Sequence, residues 1–273
     1  MLRIVQFTDV HFGLEHKDAC AAARDFAQSV KPALVLVTGD ITQRGLYPEF
    51  QAAAAWLESM PAPWLCCPGN HDTAYYNVFL RLIAPWHRFD ACIGPQWREG
   101  FRAPGLALEA INTARGIQLR GNWSKGKIDL AHARAAAEKL RAAPAGDLRV
   151  VALHHPLLEV VGEPITAEVR EGGKAVDIFT AAGVDLVLSG HLHVPFATPL
   201  PCADKLTYTV GGSTLSVRER GAPIGFNYLE IDEATITVNA MGWKDGAFAA
   251  TRTWRLPRRG GATATPPLLE SAA

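Results

Sequence analysis

The chain has 273 residues, with 27 Lys+Arg balanced by 27 Asp+Glu, so it has no net field to gather nucleic acid or an anionic membrane surface. At 48% apolar and 20% charged it reads as a soluble globular protein, which excludes collagen-like, coiled-coil and disordered chains. A chain this long buries a sizeable core without a disulfide or zinc staple, and no apolar run reaches the length of about 18 residues that a membrane span needs.

From the N-terminus, Arg3–Thr8 predicts a strand that runs directly into Asp9 and His11, without the pattern of a signal peptide. Ala22/Ala23, Phe26 and Val30 recur at helical spacing until Pro32, and the strand Leu34–Thr38 comes next. Pro48 suits a first helical position, with Phe50, Ala53/Ala54 and Leu57 as the buried stripe. Further strands are predicted at Trp64–Cys67, Leu106–Ile111, Arg149–Leu153 and Asp185–Ser189. Between them a helix begins after Asp129, a plausible N-cap, and carries Leu130, Ala133, Ala137 and Leu140. Another carries Val176, Phe179 and Ala182 and ends at Gly183.

Beyond residue 205 the helical period disappears. Leu206–Val210, Asn227–Ile231, Thr235–Ala240 and Phe248–Trp254 read as strands joined by Gly, Asp and Pro turns. No linker separates this part from the rest, which predicts one domain over 1–256 with a β-rich last third, and a flexible tail over 257–273. That last third is also a candidate homodimer surface. The five cysteines are odd in number and match neither a disulfide framework nor a zinc site, so they are read as reduced thiols of a cytoplasmic protein.

The chemistry is carried by the residues just beyond the strands. Five apolar runs each end in a metal-ligand type: Asp9, Asp40, Asn70, His154 and His191, with His11 and His193 two positions beyond a first ligand. Strand C-termini of an open α/β sheet share one edge, so these side chains converge. Asp, Asn and His without thiolate suit Mn, Fe, Zn or Co better than a calcium cage. Seven donors exceed one tetrahedral ion and fit two ions about 3.5–4 Å apart sharing a carboxylate, which would activate a bridging water as hydroxide and clamp a phosphate ester.

Asp9-Val10-His11, Gly39-Asp40, Gly69-Asn70-His71-Asp72, His154 after Val151-Ala152-Leu153, and Gly190-His191-Leu192-His193 together resemble the five motifs of the calcineurin-like metallophosphoesterases. They stand in the family order and span roughly two thirds of the chain. The resemblance implies a four-layer α/β/β/α sandwich of two mixed sheets. It implies one metal held by Asp9, His11, Asp40 and His193, and a second by Asp40, Asn70, His154 and His191, with Asp40 bridging. It also implies that His71 reaches the substrate phosphate as stabiliser or general acid, with Asp72 orienting it through a hydrogen bond. In the doublet His154-His155, His154 fits the motif and His155 lines the pocket.

Among family branches the motif set is most similar to bacterial class III cyclic-nucleotide and glycerophosphodiester phosphodiesterases. This implies in-line hydrolysis of cyclic nucleotides or other small phosphate diesters, with no nucleic-acid polymer as partner. The alternatives are a phosphomonoesterase or a nucleotide-lipid pyrophosphatase of the UDP-diacylglucosamine type. The lipid version would need an apolar helical cap, for which only Trp86–Trp97 has the aromatic character. A non-catalytic interaction module would have lost ligands, and all are retained. Gly121–Ile128 nearly matches a phosphate-cradling loop but lacks the hydroxyl at position 128, so it reads as a turn. Arg44 and the polar stretch Ser213–Arg220 are candidates to face substrate.

Overall fold

The computed structural model describes residues 1–118, 122, 124–159 and 169–259. Its strands are β1 (Leu2–Phe7), β2 (Leu34–Thr38), β3 (Trp64–Cys67), β4 (Phe101–Ala103), β5 (Leu106–Ala110), β6 (Leu148–Ala152), β7 (Leu186–Ser189), β8 (Phe196–Pro199), β9 (Tyr208–Gly211), β10 (Gly225–Ile231), β11 (Thr235–Lys244) and β12 (Ala247–Pro257). The helices are α1 (Lys17–Val30), α2 (Tyr47–Glu58), α3 (Val78–Ile83), α4 (His87–Cys92), α5 (Leu130–Arg141) and α6 (Gly172–Ala181).

Two six-stranded sheets form, in the orders β12-β11-β10-β1-β2-β3 and β4-β5-β6-β7-β9-β8. β1, β2 and β3 run parallel, as do β5, β6, β7 and β9, while β4, β8 and β10–β12 pair antiparallel, so both sheets are mixed. The strands read as continuous apolar runs because both faces are covered. In the second sheet Leu108, Val150, Leu186 and Leu188 face the first sheet, and the alternating Ala107, Val151 and Val187 pack on Ala133, Ala137 and Leu140 of α5 and Val176 and Phe179 of α6. Ala19, Ala23 and Ala27 of α1 and Phe50, Ala53 and Leu57 of α2 belong to the cluster around the first sheet. The fold is the four-layer α/β/β/α sandwich.

Most of the β-rich last third belongs to the first sheet, since β10 pairs antiparallel with β1 from Leu2↔Ile231 to Gln6↔Asn227, while β9 joins the second sheet beside β7. β11 and β12 form a long hairpin about Asp245-Gly246, both at positive φ (51° and 83°) as a tight two-residue turn requires. Its second strand reaches Pro257, the first residue assigned to a tail by the sequence, and residues 260–273 lie outside the described residues. Asp129 caps α5 as expected, accepting from the amides of Ala131 and His132. The short β4, β8, α3 and α4 carry too few residues for a period to show, so the sequence does not predict them.

A buried polar stitch joins the sheets just behind the strand ends. Gln6 of β1 donates to Thr38 Oγ1 (3.2 Å) and to the Ser189 carbonyl of β7 (2.9 Å). Asn227 of β10 donates to Gln6 Oε1 (3.1 Å) and to the Gly211 carbonyl of β9 (2.9 Å). Strands from the two sheets are tied at one level.

Candidate metal centre

Asp9 and His11 leave β1, Asp40 leaves β2, Asn70, His71 and Asp72 leave β3, His154 leaves β6, and His191 and His193 leave β7. The first sheet supplies one half of the cluster and the second sheet the other. Tight backbone turns produce the convergence. Asp9 N donates to Gly39 O and His11 N to Asp40 O, both at 3.0 Å, so the two loops run side by side. Among the described residues, five of the nine non-glycine residues with positive φ are Asp9, His11, Asp40, His191 and His193, at 50–71°. L-residues avoid this region, and its concentration in one cluster marks strain held for function. Gly190 permits the closest approach: a Cβ there would lie 2.6 Å from Asp9 Oδ2 and collide with Thr8 Oγ1.

All seven predicted donors come together. Donor atoms of Asp9, His11 and His193 lie within 4.8 Å of one another, as do those of Asp9, Asp40 and His154. Asp40 also groups with His11 and His71, and His154 with His155 and His191. Asn70 joins through its Oδ1, 3.2 Å from His154 Nε2, while Asp40 Oδ2 is 3.3 Å from the same nitrogen. Asp40 thus faces both halves.

The imidazoles are oriented from behind. His154 Nδ1 donates to Thr38 O (2.9 Å) and His193 Nδ1 to Arg218 O (2.8 Å), which turns each Nε2 into the cluster. There His11 Nε2 and His193 Nε2 face each other at 3.4 Å. Asp9 Oδ2 accepts from Thr8 Oγ1 and His191 N, but its Oδ1, fully buried, has no hydrogen bond of acceptable geometry, although His193 Nε2 is 3.1 Å away. A buried carboxylate oxygen that makes no hydrogen bond and lies among imidazole nitrogens is a position that a cation would satisfy.

Protonation fits as well. Burial opposes ionisation of Asp40, but His154 and His71 outweigh it and hold the carboxyl well below the usual range. Asp9 behaves alike, with His193 overcoming burial. Burial pushes His11 and His191 down to about 3, so both are neutral donors. His154 is the exception: burial lowers it, yet Asp40 raises it to about 9, so a metal would have to displace its proton. The buried Asp/His clusters therefore fit a dinuclear metal site.

His155 is committed elsewhere, with Nδ1 2.9 Å from Thr113 Oγ1 and Nε2 donating to Ser124 O at 2.7 Å, which leaves His154 as the free donor of the doublet. The expected Asp72–His71 bond is absent. Asp72 accepts from the amides of Gly69, Ile41 and Thr42 and from Thr42 Oγ1, binding the β2 and β3 loops together, and burial with the nearby Asp40 raises it to about 7. His71 Nδ1 donates instead to Gln43 O at 2.7 Å, a backbone partner invisible to a motif search. Arg44 stays exposed. The phosphate-loop look-alike contributes only its described part, where Lys127 bridges to Arg170 and Ile128 is buried ahead of α5; Gly121 and Trp123 lie outside the described residues. Two groups missing from the motif-based set, Gln43 and Arg218, also enter the site.

The family model for calcineurin-like phosphoesterases matches residues 2–195. A probable cyclic nucleotide phosphodiesterase of Rhodococcus erythropolis is 25% identical over 77% of this chain and 70% of its own. A second protein of that description, from Synechococcus, is 21% identical over 89% of this chain and 93% of its own. In fold the chain is similar to GAP50, the anchor in the inner membrane complex of Plasmodium, with a TM-score of 0.61 and 16% identity over 96% of this chain and 90% of that one. With its five strand-end motifs gathered around one buried Asp/His cluster and the family pattern matched across most of its length, this chain belongs to the calcineurin-like phosphoesterases.

Proposed function

We propose that the protein is a dinuclear-metal phosphodiesterase acting on cyclic nucleotides or other small diesters. The observation that carries the metal centre is the buried Asp9 Oδ1, which makes no hydrogen bond and lies 3.1 Å from His193 Nε2 and 3.8 Å from His11 Nε2. The diester preference is supported by the two relatives described as probable cyclic nucleotide phosphodiesterases. Asp9, His11, Asp40 and His193 would hold one ion, and Asp40, Asn70, His154 and His191 the other. Bound there, the two ions supply an acidified water as nucleophile and screen the phosphoryl oxygens.

The chain's own groups do the rest. Thr38 O and Arg218 O lock the tautomers of His154 and His193, and the stitch behind them keeps the two halves in register. A cleft of about 140 Å³, lined by Asp40, Asn70, His71, Ser124, His191, His193 and Arg220, gives access. His71 presents Nε2 to it, since Nδ1 is bound to Gln43 O. From there His71 would reach a phosphoryl or leaving oxygen of a bound ester.

A second reading, nucleotide-lipid pyrophosphatase, draws on one observation. Tyr75, Tyr76, Val78, Phe79, Leu82 and Ile83, close behind His71 and Asp72 in the chain, are exposed apolar residues, whereas Trp97 of the aromatic stretch is buried. The deciding experiment is metal analysis of the purified protein with a panel of bis(p-nitrophenyl) phosphate, cyclic nucleotides, p-nitrophenyl phosphate and a nucleotide-lipid pyrophosphate. Two metal equivalents, a diester preference and loss of turnover on chelation are expected. Metal-free turnover would end the proposal, and a monoester or lipid preference would replace its substrate.

A further inference from the structure

We propose that Arg218 is the residue that grips the non-bridging phosphoryl oxygen of the substrate at this centre, an inference resting on the phosphoester reading above. Arg218 lies on the Ser213–Arg220 loop after β9, outside every ligand motif. The loop is built inward: Thr214 Oγ1 donates to Asp9 O at 2.5 Å, Ser216 N to Thr214 Oγ1 at 3.0 Å, and Arg218 N to Ser216 Oγ at 3.2 Å. The Arg218 carbonyl receives His193 Nδ1, and its guanidinium turns to the same centre. Nη1 stands 3.2 Å from Gln43 Oε1, 3.2 Å from His71 Nε2 and 3.4 Å from His11 Nε2.

Gln43 aims the guanidinium, but neither imidazole offers it a negative charge. It sits half-buried beside a centre that would hold two cations, and with those bound a fixed positive group would be repelled unless an anion lay between. A phosphoryl oxygen is that anion, and the planar fork of arginine matches it better than a lysine would. Arg220 is differently employed: Nη1 donates to His191 O at 3.0 Å, which makes it part of the cleft wall.

The test compares Arg218→Met and Arg218→Lys with the wild type, measuring KM for bis(p-nitrophenyl) phosphate, Ki for inorganic phosphate, metal content and melting temperature. Losing one charged hydrogen bond predicts a rise of about tenfold to a hundredfold in KM and Ki for Arg218→Met. Metal content and melting temperature should stay unchanged, and Arg218→Lys should recover part of the loss. A Ki within about twofold of wild type, or loss of metal together with activity, overturns the assignment. If the wild type cleaves no ester, the phosphodiesterase reading fails by itself. Calorimetric binding of inorganic phosphate to the metal-loaded protein then decides on Arg218: binding weakened about tenfold in Arg218→Met supports it, and equal or absent wild-type binding refutes it.

Discussion

Replacing Gly190 with alanine adds one methyl group where the loop after β7 comes closest to Thr8 and Asp9 of the other sheet. The new Cβ would fall on Thr8 Oγ1, 2.6 Å from Asp9 Oδ2 and 3.0 Å from Thr8 Cβ. Rotating the threonine hydroxyl does not relieve this, because the carboxylate oxygen and Thr8 Cβ remain in the way. The Gly190–His191 backbone, whose His191 amide donates to Asp9 Oδ2, must then back away. A displacement of about 1 Å at a reacting centre costs about 100-fold in rate. Overpacking of this kind costs about 1–3 kcal/mol, and each kcal/mol lowers the melting temperature of a domain of this size by about 2–4 °C. Gly173 is the control. It lies in the first turn of α6 with nothing within 4 Å of a built Cβ and no positive φ, so Gly173→Ala should gain about 0.4–1 kcal/mol with unchanged turnover. Both variants would be assayed by kcat on a diester, metal content and thermal melting. Wild-type metal content, kcat and melting in Gly190→Ala would refute the close-approach argument.

Asn70→Ala should lower metal content from two equivalents towards one, and Asp40→Ala should abolish turnover, each with a native circular-dichroism spectrum; wild-type rates in either would remove that residue from the reaction. In the metal-free protein, His154 is raised from 6.5 to about 9 by Asp40, so its stabilising contribution is complete below pH 6.5 and fades as pH rises through about 9. Chemical denaturation across that window should show the decline without metal and its absence with metal bound, since a ligating imidazole is neutral. Asp129→Ala removes the acceptor for two amides at the start of α5 and should cost about 1 kcal/mol, read as a melting point lower by about 2–4 °C.

The layers and the clustered Asp, Asn and His side chains were legible in the sequence for the same reason. Doubly covered parallel strands are mainly apolar, so the carboxylate or imidazole just beyond each, such as Asp40 after Thr38 or His191 after Gly190, stands out against the run. What stayed hidden depends on partners distant in sequence or on backbone atoms. The Gln43 carbonyl that receives His71 carries no residue-type signal, and the family resemblance implied Asp72 in its place. The stretch around Arg218 was marked by its polarity, but which of its side chains turns inward depends on the bonds to Asp9 and His193. The exposed face of Tyr75–Ile83 was equally out of reach, because Arg81, the polar member of α3, is the one that is buried, its Nε donating to Gly116 O at 2.5 Å.

The Gln6–Asn227 bridge separates two properties that usually travel together. Apolar layers resist dissociation yet tolerate sliding, whereas amide bonds are directional and resist the slide itself. Hydrocarbon side chains between the sheets can therefore be exchanged for others of like volume while two carboxamides hold the spacing of the two halves of the Asp/His cluster. The exposed surface in front, such as Phe79 of α3, takes no part in that bridge and can change without disturbing it.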